Sequence, residues 1–159
     1  MGVNLEVVEG FLGALGRRDM RAALEWVADD FVYDNTQLPT MRGKQQFEQF
    51  LSAWLAHDAI EIRAHNVWEN ADGVVVERTD KHREAGDAGW SATRACAVFD
   101  VRDAKIRAWR DYYDISGFLR QSGQTLDDIF NKAAVLAGSS AQLAPPERFA
   151  VTFTSKESA

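Results

Sequence analysis

Hydrophobic residues in the first third of the chain recur every three or four positions, which predicts helices. Asn4 can cap a first helix, and Asp19 can cap a second helix over residues 20–27. A short apolar run at residues 31–33 predicts a strand, and helical spacing returns over residues 44–57. The expected order at the N-terminus is therefore helix, helix, strand, helix.

From about residue 60 onward the hydrophobic period changes to two, which indicates β-strands. Alternating segments cover residues 60–69, 74–83, 90–101 and 105–114, and short turns separate them. Four successive strands with short turns predict an antiparallel meander. Residues 35–43, between the first strand and the third helix, are expected to be loop.

The end of the chain has a different character from the meander. Thr125 and Asp128 match a capping box, which predicts a last helix over residues 125–137. Residues 138–159 begin with a small-residue, proline-containing linker and end in an apolar alternation that suits an added strand or a lid. We therefore expect one α+β domain over residues 1–137, with a bent antiparallel sheet wrapped around the helices and a pocket between them.

Composition narrows the range of functions. The 159 residues carry 18 Lys plus Arg against 24 Asp plus Glu, and a net charge of −6 argues against a nucleic-acid partner. A single cysteine, Cys96, excludes a disulfide framework and any CxxC metal motif. No apolar run is long enough to span a membrane and no basic leader is visible, so a cytoplasmic protein is expected.

The strand over residues 74–83 places charged side chains on its apolar face. Alternation puts Arg78, Asp80 and His82 on the same side as Val74 and Val76. Buried charges are costly unless they are paired, so this pattern indicates either a functional pair or a strand end that emerges into water. For Arg-x-Asp alone, the exposed strand end is the better interpretation.

A second candidate lies in the last strand, where Asp111 stands between Trp109 and Tyr113. An acidic residue between aromatic residues can have a raised pKa and act as an acid or a base. If Ile106 faces the core, alternation puts Trp109 on the opposite face, and the reverse also holds. Alternation therefore does not decide which face of the sheet carries Asp111. An exposed polar edge is the alternative interpretation.

A third candidate lies at the end of the first strand. The side chains of Tyr33 and Asn35 are expected on the same side of the chain there and could hold a water molecule. On its own this segment fits ordinary loop chemistry as well. Taken together, Tyr33-x-Asn35, Leu38-Pro39, Arg78-x-Asp80 and Trp109-Arg110-Asp111 resemble the limonene-1,2-epoxide hydrolase family. The resemblance covers residues 31–114.

The resemblance implies a fold and a catalytic set. The family's fold is the cone-shaped, cystatin-like α+β barrel shared with ketosteroid isomerase and nuclear transport factor two. The family's catalytic acid, arginine and base correspond to Asp80, Arg78 and Asp111, and its water-holding residues correspond to Tyr33 and Asn35.

The resemblance also implies pocket-wall positions at His82, Trp109 and Tyr113. Leu38 and Trp54 are further candidate substrate-binding residues, although a core or interface position is the better interpretation of Trp54 on its own. Tyr113 replaces the family's more usual phenylalanine, and His82 stands where an aliphatic residue is expected. Both differences concern the choice of substrate more than the reaction.

The expected reaction is the opening of an epoxide to a vicinal diol by direct attack of water. Asp111 would take the water proton and Asp80 would protonate the leaving oxygen, with the pair sharing one proton. The resemblance implies no metal and no cofactor. The expected substrate is a small to medium apolar epoxide, terpenoid or polyketide-derived.

Other activities on the same fold remain open, because this fold hosts many functions. A SnoaL-like polyketide cyclase or a ketosteroid-isomerase-like enzyme would use one carboxylate as a base. A non-catalytic small-molecule-binding protein would not need the full set of residues. Apolar residues on both faces of the strand over residues 90–101, such as Phe99 and Val98, lead us to expect a homodimer through the outer sheet face.

Overall fold

The computed structural model describes residues 2–84, 89–138 and 141, except for the side chains of residues 53–58 and 84. The elements in chain order are α1 (Val3–Gly16), α2 (Met20–Glu25), β1 (Val27–Asn35), β2 (Met41–Arg42), α3 (Gly43–His57), β3 (Asp58–Asn70), β4 (Gly73–Glu84), β5 (Ser91–Arg102), β6 (Lys105–Tyr113), α4 (Ile115–Ser122) and α5 (Leu126–Ala137). No helix in this described part is long and apolar enough to cross a membrane.

The six strands form one curled sheet in the order β2-β1-β6-β5-β4-β3. Strands β3 to β6 make the expected antiparallel meander, and β1 joins it by pairing in parallel with β6. The two outermost strands, β2 and β3, do not pair with each other, so the sheet is curled but unclosed. This architecture confirms the expected α+β fold.

Helices α1 and α3 cover the concave face of the sheet, where aromatic rings form much of the core. The Trp109 ring contacts Phe11 edge-on at 5.5 Å between centroids, stacks on Phe99 at 5.6 Å and lies 4.7 Å from Tyr33. Such ring pairs stabilise beyond their buried area and prefer defined geometries. The floor beneath the predicted site residues is therefore a tightly packed aromatic cluster.

The expected cap at Asn4 is wrong. Helix α1 begins at Val3 with Gly2 as the N-cap, so Asn4 lies inside the first turn. The Asn4 side-chain amide instead donates to the carbonyls of Asn70, at 2.9 Å, and Ala71, at 3.3 Å. The residue that favoured a local cap serves a tertiary contact with the β3–β4 turn.

The second helix and the first strand also differ from expectation. Helix α2 ends at Glu25, and β1 already begins at Val27, which is buried opposite Ile106 of β6. Asp29 and Asp30 lie within this strand and expose their side chains. The segment expected to be loop also contains the short strand β2. Pairing with β6 overrides the local helical pattern here.

Helix α4 was not predicted, whereas α5 was. The Asp114 side chain caps α4 by accepting from the Gly117 amide at 2.9 Å, and Gly123 ends the helix at φ +68°. The predicted capping box of Thr125 and Asp128 is present on α5. The expected linker and extension at residues 138–159 lie outside the described residues, apart from Gly138 and Ala141.

Candidate active site

Strand β4 carries the predicted Arg-x-Asp pair on its concave face. Its residues alternate as expected, and Val74, Val76 and Arg78 are each only 2 % exposed. Asp80 and His82 continue the same face toward the end of the strand, where the pocket opens. The structure therefore selects the buried-pair interpretation over an exposed strand end.

A β-bulge decides the orientation of Asp111. In the β5–β6 ladder Asp100 pairs with Ala108, and the next residue, Val101, pairs with Ile106. Arg107 is therefore an extra residue of β6 without a partner in β5. The extra residue changes the parity, because a bulge turns the following side chains to the other face. Ile106 and Trp109 are consequently both buried, and Asp111 points to the same concave face as Asp80.

The Arg78 guanidinium bridges the two carboxylates through four hydrogen bonds. Nε and Nη2 donate to Oδ1 and Oδ2 of Asp80, each at 2.8 Å. Nη1 and Nη2 donate to Oδ1 and Oδ2 of Asp111 at 2.8 and 2.9 Å. Burial works against the guanidinium charge, but Asp111 and Asp80 more than offset it and raise the pKa of Arg78. Arg78 stays charged and fixes the separation of the carboxylate pair.

Asp111 is the more enclosed member of the carboxylate pair. The Trp109 indole also donates to its Oδ1, at 2.7 Å, so Oδ1 accepts two hydrogen bonds and Oδ2 accepts one among the described residues. Burial raises the pKa of Asp111 above its usual value, although Arg78 and Trp109 act in the opposite direction. Oδ2 is therefore the oxygen with spare capacity to accept a proton.

The side chains of Tyr33 and Asn35 project from the same face of β1, next to Asp111. Asn35 pairs with Asp111 in the parallel β1–β6 ladder, and its amide donates to the Tyr33 hydroxyl at 3.1 Å. Asn35 Oδ1 is buried with no hydrogen-bond partner among the described residues. Burial and the neighbouring Asp111 raise the pKa of Tyr33 well above its usual value, so its phenol remains a donor.

Two adjoining pockets meet at the carboxylate pair. The first, here called the apolar pocket, holds roughly 500 Å³ including its open mouth, and Arg78 and Trp109 lie on its wall. Its remaining apolar lining comes from Leu15, Phe50, Leu51, Ile60 and Ile62. Such a wall can exclude water from an apolar ligand while presenting the polar groups at one point.

The second pocket, here called the polar pocket, holds roughly 350 Å³ including its open mouth. Tyr33, Asp80, His82 and Asp111 line both pockets, and the polar pocket adds Asn35, Thr93, Tyr113 and Phe118. The sequence did not indicate Thr93 or Phe118. Thr93 reaches the site only through the β4–β5 register, and Phe118 only through the unpredicted helix α4.

The remaining predicted substrate-binding residues have different surroundings. His82 lies on the wall of both pockets, and Tyr113 on that of the polar pocket. Leu38 is completely buried in the core and is not among the lining residues of either pocket. The side chain of Trp54 lies outside the described residues. Within the described ranges, no group of three or more His, Cys, Asp or Glu residues is arranged to hold a metal ion.

The family model of the limonene-1,2-epoxide hydrolase catalytic domain matches residues 3–124. This span includes every member of the hydrogen-bonded set described above. The chain belongs to the limonene-1,2-epoxide hydrolase family, which confirms the resemblance inferred from its motifs.

Individual relatives agree with the family. The chain is 32% identical over 110 residues to epoxide hydrolase EphG of Mycobacterium tuberculosis, covering 68% of this chain and 71% of that protein. The structure of an LEH-like epoxide hydrolase from M. tuberculosis superposes with a TM-score of 0.66 at 30% identity, covering 74% of this chain and 90% of that one.

Other solved structures share the fold beyond this family. A candidate polyketide cyclase from Xanthomonas campestris is 26% identical with a TM-score of 0.68, over 75% of this chain and 96% of that one. An NTF2-like protein from Burkholderia pseudomallei, at 18% identity and a TM-score of 0.69 over 76% and 97% of the two chains, shows the fold alone.

Proposed function

We propose that this member of the epoxide hydrolase family opens an epoxide to a vicinal diol by direct attack of a water molecule. The observation that carries the proposal is the buried Arg78 guanidinium bound to both Asp80 and Asp111. Two carboxylates at the junction of an apolar and a polar pocket suit a reaction that needs a base and an acid at once.

The base side of the reaction is built around Asp111. A water molecule beside Tyr33 and Asn35 would donate one hydrogen bond to Asp111 Oδ2 and the other to Asn35 Oδ1. The Tyr33 hydroxyl, whose oxygen accepts from Asn35, would donate its own proton to that water. This arrangement leaves one lone pair of the water oxygen to attack an epoxide carbon as Asp111 takes the proton.

Asp80 is the proposed general acid. Its side chain is 16% exposed against 7% for Asp111, and it faces both pockets. A protonated Asp80 would give its proton to the epoxide oxygen as the C–O bond breaks. With Asp111 ionised and Arg78 charged, the three groups then sum to zero net charge, which suits a buried site. Each turnover moves one proton from Asp80 to Asp111, and its return resets the pair.

The apolar pocket indicates the kind of substrate. Its aliphatic and aromatic lining suits a small to medium apolar skeleton such as a terpenoid or polyketide-derived epoxide. In this mechanism water supplies the oxygen and hydrogen atoms that are added to the epoxide, and the two carboxyl groups relay protons, so the proposed reaction uses no cofactor.

A polyketide cyclase is the second candidate, supported by the 26% identity to the Xanthomonas protein. Proton abstraction from carbon requires one carboxylate base and no second carboxylate bound to the same arginine. A cyclase would therefore depend strongly on one aspartate and weakly on the other.

The two candidates separate in one assay. The purified protein is incubated with a panel of terpenoid and aliphatic epoxides, and diol formation is followed by gas chromatography. We expect turnover of at least one epoxide, and loss of it in both Asp80→Asn and Asp111→Asn. Absence of diol across the panel, or a dispensable Asp80, would contradict an epoxide hydrolase.

A further inference from the structure

Thr93 contributes an unusual hydroxyl to the wall of the polar pocket. It is 5% exposed, and its Oγ1 has no hydrogen-bond partner among the described residues. Buried polar atoms are nearly always paired in folded proteins, so an unpaired one calls for an explanation such as a ligand. A valine has nearly the same shape and would fill this strand position without that cost.

The register of the sheet places this hydroxyl beside the acid. Thr93 of β5 pairs directly with Asp80 of β4, and side chains paired in this way lie on one face with Cβ atoms about 4.5–5.5 Å apart. Asn35 Oδ1, which also lines this pocket and has no hydrogen-bond partner among the described residues, lies on the water side with Tyr33. The polar pocket thus has a water side near Asp111 and a second polar side near Asp80.

Two further polar groups accompany Thr93. Tyr113 lies between the two sides of the pocket, because it pairs with Ala95, two residues from Thr93 on the same face of β5, and also interacts with Asn35 and Asp111. Burial raises the pKa of its phenol to about 12. The phenol therefore remains protonated and can donate. The His82 ring, held edge-on against Phe118 at 5.8 Å between centroids, lines the pocket next to Asp80. Among the described residues, the apolar pocket shares His82 with the polar pocket, but Thr93 and Tyr113 line only the polar pocket.

We propose that Thr93, together with Tyr113 and His82, forms a subsite for a hydroxyl or carbonyl oxygen on the substrate. The proposal deepens the proposed function and rests on it. An epoxide held at the carboxylate pair would extend its hydrocarbon part into the apolar pocket and an oxygenated substituent toward Thr93. The enzyme accordingly favours oxygenated epoxides over pure hydrocarbon epoxides of the same skeleton.

The test compares two substrates in three proteins. The substrates are cyclohexene oxide and its ring-hydroxylated analogue, and the proteins are the wild type, Thr93→Val and Thr93→Ser. Valine keeps the shape and removes the hydroxyl, whereas serine keeps the hydroxyl and removes the methyl group. The measured quantity is the ratio of kcat/KM for the hydroxylated substrate to that for cyclohexene oxide. Thermal melting confirms that each variant is folded.

We expect the wild type to prefer the hydroxylated epoxide, and Thr93→Val to lower the ratio about tenfold, the order of one hydrogen bond. Thr93→Ser should keep the ratio within about threefold of the wild type. Thr93→Val should also melt no lower than the wild type, because it removes an unpaired buried hydroxyl. A ratio unchanged in Thr93→Val, or lowered equally in both variants, overturns the subsite.

Failure of the proposed function looks different. If the wild type hydrolyses neither compound, the subsite is tested by binding, and the hydrolase assignment fails only if the whole epoxide panel also gives no diol. Isothermal titration with cyclohexanol then compares the wild type with Thr93→Val. Weaker binding to the valine variant supports an oxygen subsite, and equal affinity or no binding to either protein overturns it.

Discussion

Replacing Arg78 by methionine tests whether the guanidinium holds the site together. Arg78 is 2 % exposed, and methionine keeps a flexible apolar stem of similar length while removing the charge. The two carboxylates that it binds would be left facing each other in a buried pocket. We therefore expect a folded but destabilised protein with no hydrolase activity.

The magnitude follows from the contacts that are lost. A hydrogen bond to a charged group contributes about 1.5–3 kcal/mol, and Arg78 makes four of them. Their simple sum overstates the cost because the four bonds share one donor group and because the carboxylates can take up a proton. Removal of one partner from a buried ion pair typically costs about 3–5 kcal/mol, and we expect that range at neutral pH.

The cost should depend on pH in a definite direction. Burial raises the pKa of Asp111 and Arg78 lowers it, so removal of Arg78 raises the folded-state pKa further above the unfolded value. A carboxyl group with a raised folded-state pKa binds more protons in the folded state, so its contribution to stability is present at acid pH and is lost as pH rises through that pKa. The destabilisation should therefore shrink toward acid pH, by at most about 1.4 kcal/mol per pH unit for one proton.

The assay is urea denaturation of the wild type and Arg78→Met at two pH values. Arg94→Met is the control, because the Arg94 side chain is 77% exposed and its pair with Glu77 lies at the surface. We expect the control to cost less than about 1 kcal/mol at either pH. A cost below about 1 kcal/mol for Arg78→Met, or one that does not shrink toward acid pH, would refute the reasoning.

The remaining predictions concern the carboxylates, pH, assembly and the tail. Asp80→Asn and Asp111→Asn should each lower kcat about 10²–10⁴-fold or more, and the double variant should be little worse; additive effects would mean independent roles. Because burial raises the pKa of Asp111, the acid limb of the pH profile of kcat/KM should lie above pH ~4, with activity falling as the base is protonated; a limb below that value contradicts the assignment. Sedimentation should give a homodimer at micromolar concentration, joined through the outer sheet face, and a monomer would argue against it. Deletion of residues 139–159 should lower the melting temperature or alter substrate selectivity, and unchanged stability, assembly and turnover would identify these residues as an appendage.

The alternation of hydrophobic and polar residues correctly predicted the part of the site that lies on a regular strand. A period of two along β4 correctly put Arg78 and Asp80 on one face, because no bulge interrupts the strand there. The pattern could not orient Asp111, since the bulge around Arg107 changes the parity of β6. Only the family motif placed Asp111 with Asp80.

The hydrophobic pattern could not predict features that depend on contacts between residues distant in sequence. The sequence pattern assigned Val27, the first residue of β1, to the second helix, because the start of this strand is defined by pairing with β6. Thr93 became part of the site only through its register with Asp80. Helix α4 is a different case, because Asp114 and Gly123 are recognisable cap residues that could have indicated its two ends.

The central claim is that water attacks the epoxide directly, and a single-turnover experiment in heavy-oxygen water tests it. Excess protein is mixed with an epoxide in that solvent, and the diol is analysed by mass spectrometry after the first turnover. Direct attack puts the heavy oxygen into the diol at once and leaves the aspartates unlabelled. A first-turnover diol without the label, with heavy oxygen then appearing in Asp80 or Asp111, would show a covalent ester intermediate and contradict the account.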